Sequence, residues 1–370
     1  MRLADLPTPQ VVIDRRRLLA NIDRVQQLAA AAGMRLRPHT KTHKSPIIAK
    51  WQLDRGAAGI CCAKVGEAEV FVGAGFDNVR LPYPVHPSNA QRLIVLMDYA
   101  AVSIIVDHLE VAHGWSEAMS AAGRTLDVLV KVDVGFHRCG INPDDDPIAF
   151  IQAIASMPGL RLRGLLSHAG HGYLASSEEQ LCAVAQQEAE TLAGIRDRAA
   201  KSGIALEEIS VGATPTLRFS ARQHGITELR PGNYVYFDRT QIALGAATLD
   251  DCALTVLATV VSKPARDRII LDSGSKTLTN DQARGITKAT GYGAVLDANG
   301  RIDETLTVER LSEEHATVHV EGTTTLRPGD RVRIVPNHAC VVSNLVDAVR
   351  LVEGDQVVDT LPVSARGRIT

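Results

Sequence analysis

Residues 102–133 read VSIIVDHLEVAHGWSEAMSAAGRTLDVLVKVD and contain two strand-like runs with one helical pattern between them. The two runs, Val102–Val106 and Asp127–Asp133, are nearly continuous in apolar residues, which is typical of parallel strands that helices cover. The stretch Leu109–Ala122 between them has a helical pattern. A strand, a helix and a second strand in this order predict a parallel βαβ unit.

The same alternation extends in both directions from this stretch. Eight strand-like runs alternate with helical patterns, and together they predict a TIM-like (β/α)₈ barrel over residues 15–240. The runs are Met34–Pro38, Gly59–Ala63, Val79–Pro82, Val102–Val106, Asp127–Asp133, Leu162–Ser167, Glu208–Val211 and Tyr234–Phe237.

The pattern changes after Leu244, where short strand-like runs follow one another with turn signals between them. No long helical pattern separates these runs, so we expect an antiparallel β domain with short hairpins. Residues 8–14 fit an extra strand of the same domain. The sequence therefore predicts an α/β barrel followed by a β domain that consists of residues 1–14 and 241–370.

Composition and charge exclude several classes of protein. The 370 residues include 40 Lys+Arg and 42 Asp+Glu, so the net charge is −2 and no basic excess favours binding to nucleic acid. A hydrophobic fraction of 45% fits a globular protein and not a disordered chain. The sequence has no apolar run of roughly 18 residues and no hydrophobic signal core. We therefore expect a cytoplasmic protein that does not bind membranes.

Lys41 is the first candidate for a catalytic residue. It follows the first predicted strand, and the active sites of barrels lie at the carboxyl ends of the strands. Loss of hydration there favours the neutral amine, and the neighbouring Arg37, Lys44 and protonated His43 would lower the pKa of Lys41 further. The residue is thus a candidate Schiff-base nucleophile, although a lysine in a basic run is more often solvated.

Two glycine-containing segments follow the seventh predicted strand and precede the eighth. Small residues there allow backbone N–H groups to approach a phosphate, which barrels commonly bind at this end. A lysine that forms an imine at one strand and a phosphate site at two others predict pyridoxal 5'-phosphate as the cofactor. The residues are Gly212, Ala213, Thr214, Gly232, Asn233 and Tyr234.

A second candidate site is the pair His338 and Cys340, which follows the strand-like run Arg331–Val335. In an extended chain the two side chains would point to the same face, where they could bind a divalent ion such as Zn²⁺. His168 and His171 are candidate acid–base groups. The functional role is open for both pairs, because many histidines and cysteines in loops are structural or solvated and bind no metal.

The chain resembles the fold-type III pyridoxal-phosphate enzymes and, among them, the D-threonine aldolase and D-serine dehydratase family. This resemblance covers nearly the whole chain. It rests on RPHTKTHK at residues 37–44 and PNHAC at residues 336–340, and further on DLPTP at 5–9, GICC at 59–62, EAE at 67–69, VDVG at 132–135, RCG at 138–140, HGY at 171–173, GATP at 212–215 and SARG at 364–367.

The resemblance implies a role for each matching residue. Lys41 would carry the cofactor, Arg138 would stabilise its phenolate oxygen, and Tyr173 and the two glycine-containing segments would bind the ring and phosphate. His338 and Cys340 would bind a divalent metal, Zn²⁺ or Mn²⁺. Relatives in this group pair two subunits, so we expect a homodimer.

The resemblance leaves two reactions on small D-amino acids open. Retro-aldol cleavage of D-threonine-type substrates would give glycine and an aldehyde, with His168 or His171 as the base. Dehydration of D-serine or D-3-hydroxyaspartate would give a 2-oxo acid and ammonia. In the aldolase branch the second metal ligand is usually Asp and in the dehydratase branch it is Cys, so Cys340 favours dehydration, whereas the rest of the chain favours cleavage.

A third hypothesis comes from another class of protein, a carrier that binds pyridoxal phosphate without catalysis. Such carriers resemble the barrel alone. The β domain and its His338–Cys340 pair therefore favour an enzyme.

Overall fold

The computed structural model describes residues 1–282, 284–287 and 289–370, and in it the apolar runs of the first part of the chain pair as parallel strands. Their order in the sheet follows the chain, with the last strand beside the first. The sheet closes where His39 pairs with Cys61, whose N–H donates to the carbonyl of Pro38 at 2.8 Å. After β1 (Gln10–Asp14), the barrel strands are β2 (Arg35–Leu36), β3 (Ile60–Cys61), β4 (Asn78–Pro84), β5 (Ala101–Val106), β6 (Leu126–Lys131), β7 (Leu160–Leu166), β8 (Glu208–Val211) and β9 (Glu228–Leu229).

Helices cover the outside of this sheet, which explains why strands such as β5 and β6 are apolar along nearly their whole length. Within the described residues, no helix is both long and apolar enough to span a bilayer. The helices are α1 (Arg15–Ala31), α2 (Pro46–Leu53), α3 (Val65–Gly73), α4 (Ala90–Leu96), α5 (Leu109–Ala121), α6 (Pro147–Ser156), α7 (Glu178–Lys201), α8 (Leu217–Ser220), α9 (Arg239–Ala243), α10 (Ser275–Leu278) and α11 (Ala339–Asn344), with short 3₁₀ helices at Leu3–Asp5, Thr40–Thr42, Pro87–Asn89, Gly170–Leu174, Asn233–Val235 and Leu249–Asp251.

The second part of the chain forms a second sheet, which is antiparallel except at one strand pair. The N-terminal strand β1 belongs to it and lies antiparallel to β10 and parallel to β16. The architecture predicted from the sequence, a barrel followed by a β domain, is confirmed, while the domain boundaries stay a prediction. The strands are β10 (Leu254–Ala265), β11 (Arg268–Leu271), β12 (Ala294–Leu296), β13 (Ile302–Leu311), β14 (Ala316–Val320), β15 (Arg331–Val335), β16 (Ala348–Glu353) and β17 (Gln356–Pro362).

The prediction of the eighth barrel strand at Tyr234–Phe237 is wrong. The strand is β9, and the segment after it begins a 3₁₀ helix at Asn233. Val235 and Tyr236 are apolar because they pack against the β domain, and the carbonyl of Tyr236 accepts from the N–H of Ala253 at 2.8 Å. The sequence pattern missed β9 because the strand contains a glutamate and has only two residues.

That glutamate, Glu228, lies in a buried ion network inside the barrel. Its carboxylate accepts from Arg37 at 2.8 Å and from Arg80 at 2.5 Å, and Arg80 also donates to Glu208 at 2.7 Å. Burial alone would raise the pKa of Glu228, but the charges of Arg80 and Arg37 outweigh this effect and lower it to about 2. The network joins strands on opposite sides of the barrel, so its charge state should affect stability.

The lowered pKa of Glu228 predicts a pH dependence of folding. Since the pKa is about 2 in the folded chain and about 4.3 when unfolded, the ionised form favours folding above the unfolded value. This contribution, about 3 kcal/mol, is lost as the pH falls from 5 towards 2. Glu228→Gln should lower the free energy of unfolding at pH 7 by about 3–5 kcal/mol, because it leaves the arginines underpaired, and should flatten the acid limb. Urea unfolding at several pH values measures both effects.

Glu207→Gln is the matched control, because Glu207 lies next to Glu208 and pairs with Arg163 at the surface. Its free energy of unfolding should change by less than about 1 kcal/mol. Identical acid limbs for the wild type and Glu228→Gln would contradict the assignment.

Candidate active site

A cavity opens at the carboxyl ends of the barrel strands, where the β domain contributes part of its wall. Its inner part has a volume of about 90 Å³, and an outer chamber of about 320 Å³ leads away from it. The residues that line the inner part are His39, Lys41, Pro82, Arg138, Leu166, His168, Tyr173, Gly212, Ala213, Thr214, Arg230, Gly232, Asn233, His338 and Cys340. The structure therefore brings together all but two of the site residues named in the sequence analysis, the exceptions being His171 and Tyr234.

Lys41 lies in the 3₁₀ helix Thr40–Thr42, directly after the first barrel strand. Its side chain is open to the cavity, but surrounding protein removes most of its hydration and thereby lowers its pKa. Arg138 and Arg230 lower the pKa further, whereas Cys340 and Glu67 oppose the shift. The lowered pKa increases the share of the neutral amine, which is the nucleophilic form, relative to a solvated lysine.

The cations that act on Lys41 are not the ones expected from the sequence. Arg37 donates to Glu228 inside the barrel, and Lys44 forms an ion pair with Glu67. Burial lowers the pKa of His43 to about 3, so this residue is neutral. Neighbours in sequence therefore point away from Lys41, while arginines from distant strands approach it.

The two glycine turns, residues 212–214 and 232–234, face the inner cavity with unused hydrogen-bond donors. Among the described residues, no carbonyl or side chain accepts from the N–H groups of Gly212, Ala213, Thr214, Gly232 or Asn233. The hydroxyl of Thr214 is buried and also has no partner there. Convergent free donors of this kind fit a phosphate group.

The glycines themselves are required by close packing and not only by access to a ligand. A Cβ atom on Gly212 would lie 2.8 Å from the carbonyl oxygen of Arg230. One on Gly232 would lie 3.0 Å from the hydroxyl of Thr42 and 3.1 Å from the carbonyl oxygen of His39. Small residues at these positions therefore allow the strand ends to converge around the cavity.

His168 presents one ring nitrogen to the cavity. Its Nδ1 donates to the carbonyl oxygen of Gly212, which leaves Nε2 without a proton. Burial lowers its pKa well below the usual value, and the charges of Lys41 and Lys131 add to this effect. A neutral imidazole with a free Nε2 is suited to accept a proton.

His171 and the side chain of Tyr234 lie outside the cavity lining. The ring of His171 packs against Gly135, within 3.5 Å of the position of a Cβ atom there. Tyr234 is fully buried, and its hydroxyl accepts from Gln52 at 2.8 Å. The side chain of Tyr234 therefore forms no part of the cavity wall.

Arg138 and Tyr173 line the cavity on another side. The hydroxyl of Tyr173 accepts from the side-chain amide of Gln241 at 3.4 Å. The guanidinium of Arg138 lies 5.0 Å from the ring centre of Phe136, and no described carboxylate pairs with it. Arg138 is thus available to an anionic group in the cavity.

His338 and Cys340 approach each other, although the chain between them is not extended as predicted. His338 is extended, but Cys340 already lies in the first turn of α11. Burial would raise the pKa of Cys340, but its hydrogen bond with His338 and the charges of His338 and Lys41 lower it. The Sγ atom of Cys340 also lies 3.2 Å from the hydroxyl of Thr42.

The donor set of this pair fits a metal ion that keeps open coordination positions. Nδ1 of His338 lies 2.6 Å from a carboxylate oxygen of Asp281, an arrangement that orients the other ring nitrogen of a metal-binding histidine. Among the residues that the structure describes, no group of three or more His, Cys, Asp or Glu side chains converges on one point. A bound ion would therefore need ligands from water or substrate as well.

Several cavity residues escaped the sequence analysis. His39 lies in the quoted run at residues 37–44, and Arg230 lies two residues before the second glycine turn, so position gave a usable signal for both. Asp238 and Asp281, which line the outer chamber, carried no such signal. Their carboxylates reach the site through loops whose course the sequence pattern does not define.

Comparisons with known proteins agree with this architecture. Residues 13–240 match the family described as alanine racemase, N-terminal domain, and residues 253–352 match a putative serine dehydratase domain. The chain is 36% identical to a D-threonine aldolase of Arthrobacter sp, with 99% of this chain and 94% of the relative covered. It is 33% identical to D-threo-3-hydroxyaspartate dehydratase of Delftia sp. (strain HT23), with 97% of each covered.

Solved structures give the same result. The structure of D-threo-3-hydroxyaspartate dehydratase from Delftia sp. HT23 superposes with a TM-score of 0.92 at 32% identity, with 98% of each chain covered. The two relatives of this chain named above are lyases, which favours an enzyme over a cofactor carrier. The barrel, the cavity with its lysine and the matches over nearly the whole length establish the chain as a pyridoxal-phosphate-dependent lyase of the fold-type III family that includes D-threonine aldolase and D-3-hydroxyaspartate dehydratase.

Proposed function

We propose that this lyase cleaves D-3-hydroxy amino acids of the D-threonine type by a retro-aldol reaction that yields glycine and an aldehyde. The observation that carries the proposal is the lining of one cavity by Lys41, His168 and the His338–Cys340 pair. An amine, a proton acceptor and a metal-binding pair can thereby act on one substrate. The D-threonine aldolase named above supports the same reaction.

Pyridoxal phosphate is the cofactor that we assign to the inner cavity. When bound, its pyridine ring supplies a sink for the electron pair released at Cα of the substrate. Lys41 would attach the cofactor through its nucleophilic amine. The Thr214 hydroxyl and the free N–H groups of the glycine turns would bind the phosphate, while Arg138 and Tyr173 would contact the ring.

His168 is the residue that we assign as the base. Its free Nε2 would accept the proton of the substrate's β-hydroxyl group, and the bond from Nδ1 to Gly212 fixes the ring for this transfer. The lowered pKa keeps His168 neutral, and therefore able to accept a proton, at neutral pH. His171 lacks this access because it faces Gly135.

We assign a divalent cation, Zn²⁺ or Mn²⁺, to His338 and Cys340. Bound there, the ion would lower the pKa of a hydroxyl group in contact with it. Two further structures of D-threo-3-hydroxyaspartate dehydratase are a histidine-to-alanine variant and a cysteine-to-alanine variant, the second of them in the metal-free form. The replaced residues are two positions apart in that protein, as His338 and Cys340 are here.

Dehydration is the second candidate, and the shared histidine–cysteine spacing is what favours it. In that reaction Lys41 would remove the proton from Cα, and D-serine or D-3-hydroxyaspartate would give a 2-oxo acid and ammonia. The same cavity residues would serve both reactions. The difference lies in which bond at Cα is broken.

We further infer a cytoplasmic homodimer. The inference rests on the family resemblance, because relatives in this group pair two subunits.

Product analysis tests the reaction. With pyridoxal phosphate and Mn²⁺ supplied, D-threonine should give acetaldehyde and glycine in equal amounts, and Lys41→Ala should lose both turnover and the visible absorption band of the lysine-bound cofactor. Lys50→Ala, which alters an exposed lysine, serves as the control. If D-serine gives pyruvate and D-threonine gives no acetaldehyde, the proposed cleavage is wrong and the enzyme is a dehydratase.

Substitution of the two histidines tests the assignment of the base. His168→Gln should lower kcat for D-threonine by roughly 10²–10⁴-fold, because a positioned general base contributes this much. Steady-state kinetics measure the effect, and His86→Gln at the surface should leave kcat unchanged. A large loss in His171→Gln together with full activity in His168→Gln would move the role to His171.

Metal content tests the third assignment. Asp281→Asn should weaken metal binding roughly 10–100-fold, because the substitution removes the carboxylate that orients His338. Dialysis against a chelator series followed by metal analysis gives the affinity, and Asp297→Asn in a distant turn is the control. Equal affinities for the wild type and Asp281→Asn would argue against this role of Asp281.

A further inference from the structure

A buried carboxylate, Glu67, lies behind the turn that carries Lys41 and has no part in the reaction described above. It is the third residue of α3 and is fully buried. Charged groups are rarely buried in this way unless partners compensate for the lost hydration. The partners of Glu67 therefore indicate its purpose.

The partners of Glu67 come from both sides of Lys41. One carboxylate oxygen lies 3.7 Å from Nζ of Lys44 and 3.4 Å from the hydroxyl of Thr40. The other accepts from the backbone N–H of Ala63. Thr40 and Lys44 are the residues directly before and three positions after Lys41, so Glu67 connects both ends of the turn to the loop after β3.

This turn lies at the point where the barrel closes. Between the first and second barrel strands the described residues pair only at His39 and Cys61, and bonds such as that from Cys61 N–H to Pro38 complete the contact. The sheet alone therefore holds the segment that precedes Lys41 by few bonds. The Thr40 hydroxyl donates to the Cys61 carbonyl at 2.9 Å across this junction. The longer contact of Thr40 with Glu67 and the bond from Ala63 N–H to Glu67 add to it.

The backbone of Lys44 adds a second reason for such support. Its φ of 49° lies in the left-handed region, which is unfavourable for a residue with a Cβ atom. The Lys44 N–H donates to the Thr40 carbonyl at 2.7 Å, and the Lys44 carbonyl accepts from Ala365 at 3.0 Å. The ion pair with Glu67 is the contact that the Lys44 side chain makes in this conformation.

We propose that Glu67 is a positioning residue that holds the Lys41 turn in the conformation in which the lysine amine reaches the cofactor. The proposal rests on the proposed function, because it takes Lys41 as the point of attachment. It assigns Glu67 no contact with substrate or cofactor. Burial raises the pKa of Glu67, and in its ionised form Glu67 opposes the effect of burial on the pKa of Lys41.

The test uses Glu67→Gln in the full-length protein, which keeps the shape of the side chain but leaves Lys44 unpaired. The readout is a titration with pyridoxal phosphate, followed by the visible absorption and circular dichroism of the lysine-bound cofactor. Half-saturation should require a roughly ten-fold higher cofactor concentration, the loss expected when a hydrogen bond to a charged group is removed. At saturating cofactor, kcat for D-threonine should fall while KM changes little.

Glu69→Gln is the matched control, because Glu69 lies two residues further along α3 and pairs with Arg92 at 2.7 and 2.9 Å near the surface. It should titrate like the wild type. Should Glu67→Gln fail to fold, the double variant Lys44→Met/Glu67→Gln carries the same test, since it leaves no buried charge unpaired. The proposal would be overturned if a folded Glu67 variant reached half-saturation at the wild-type cofactor concentration and showed the wild-type circular dichroism of the bound cofactor.

Lys41→Ala separates this proposal from the one on which it rests. Loss of the cofactor band in Lys41→Ala with a wild-type response in Glu67→Gln would reject the role of Glu67 alone. A band that persists in Lys41→Ala would reject Lys41 as the attachment point, and the role of Glu67 with it.

Discussion

Inside the barrel, one carboxylate forms ion pairs with two arginines, one directly after β2 and one on β4. Glu228 accepts from Arg37, which follows the first barrel strand, and from Arg80 on β4. Removal of either partner would leave a charge in a medium of low dielectric constant, which is among the most destabilising changes a core can undergo. The barrel depends on this interaction because ionic groups occupy space that aliphatic side chains fill in many barrels.

The same network continues into the cavity. The hydroxyl of Ser210 donates to Glu228 at 2.6 Å and accepts from Nε of Arg230 at 2.7 Å. Arg230 in turn lines the inner cavity and lowers the pKa of Lys41. Glu228, which supports the barrel, and Arg230, which acts on Lys41, therefore belong to one chain of hydrogen bonds. Arg230 supplies part of the positive potential around Lys41, and Arg138 supplies another part.

The sequence predicts the barrel well because its signal is local. Apolar runs such as those around β5 and β6 can be recognised without knowledge of the rest of the chain. The eighth strand was missed for the opposite reason, since the described partners of Glu228 are all distant in sequence. Strand order and ion pairing are properties of the closed sheet, and no short stretch of sequence contains them.

The site shows the same division between local and distant signals. Lys41, His168 and the glycine turns follow predicted strands, so the rule that barrel sites lie at strand ends is enough to find them. Asp281 carries no such signal, because it acts through His338 from another part of the chain. Glu67 lies in a segment that resembles the family, but its partner Lys44 becomes apparent only in the fold. The prediction that Arg37 and Lys44 lower the pKa of Lys41 was wrong for this reason. Both are close to Lys41 in sequence, but each pairs with a carboxylate of its own.

The reaction depends on a fixed distance between two domains. Lys41 belongs to the barrel and Cys340 to the β domain, and Thr42 connects them through its hydroxyl at 3.2 Å from Sγ of Cys340 and through its carbonyl, which accepts from Ser343. Asp238 adds a third bond by accepting from the N–H of Ala339 at 3.0 Å. Cleavage of Cα–Cβ and removal of the Cα proton differ in which bond is aligned with the cofactor ring, and small displacements decide such alignments. The contacts that fix α11 against the Lys41 turn are therefore where the choice between the two reactions would be made.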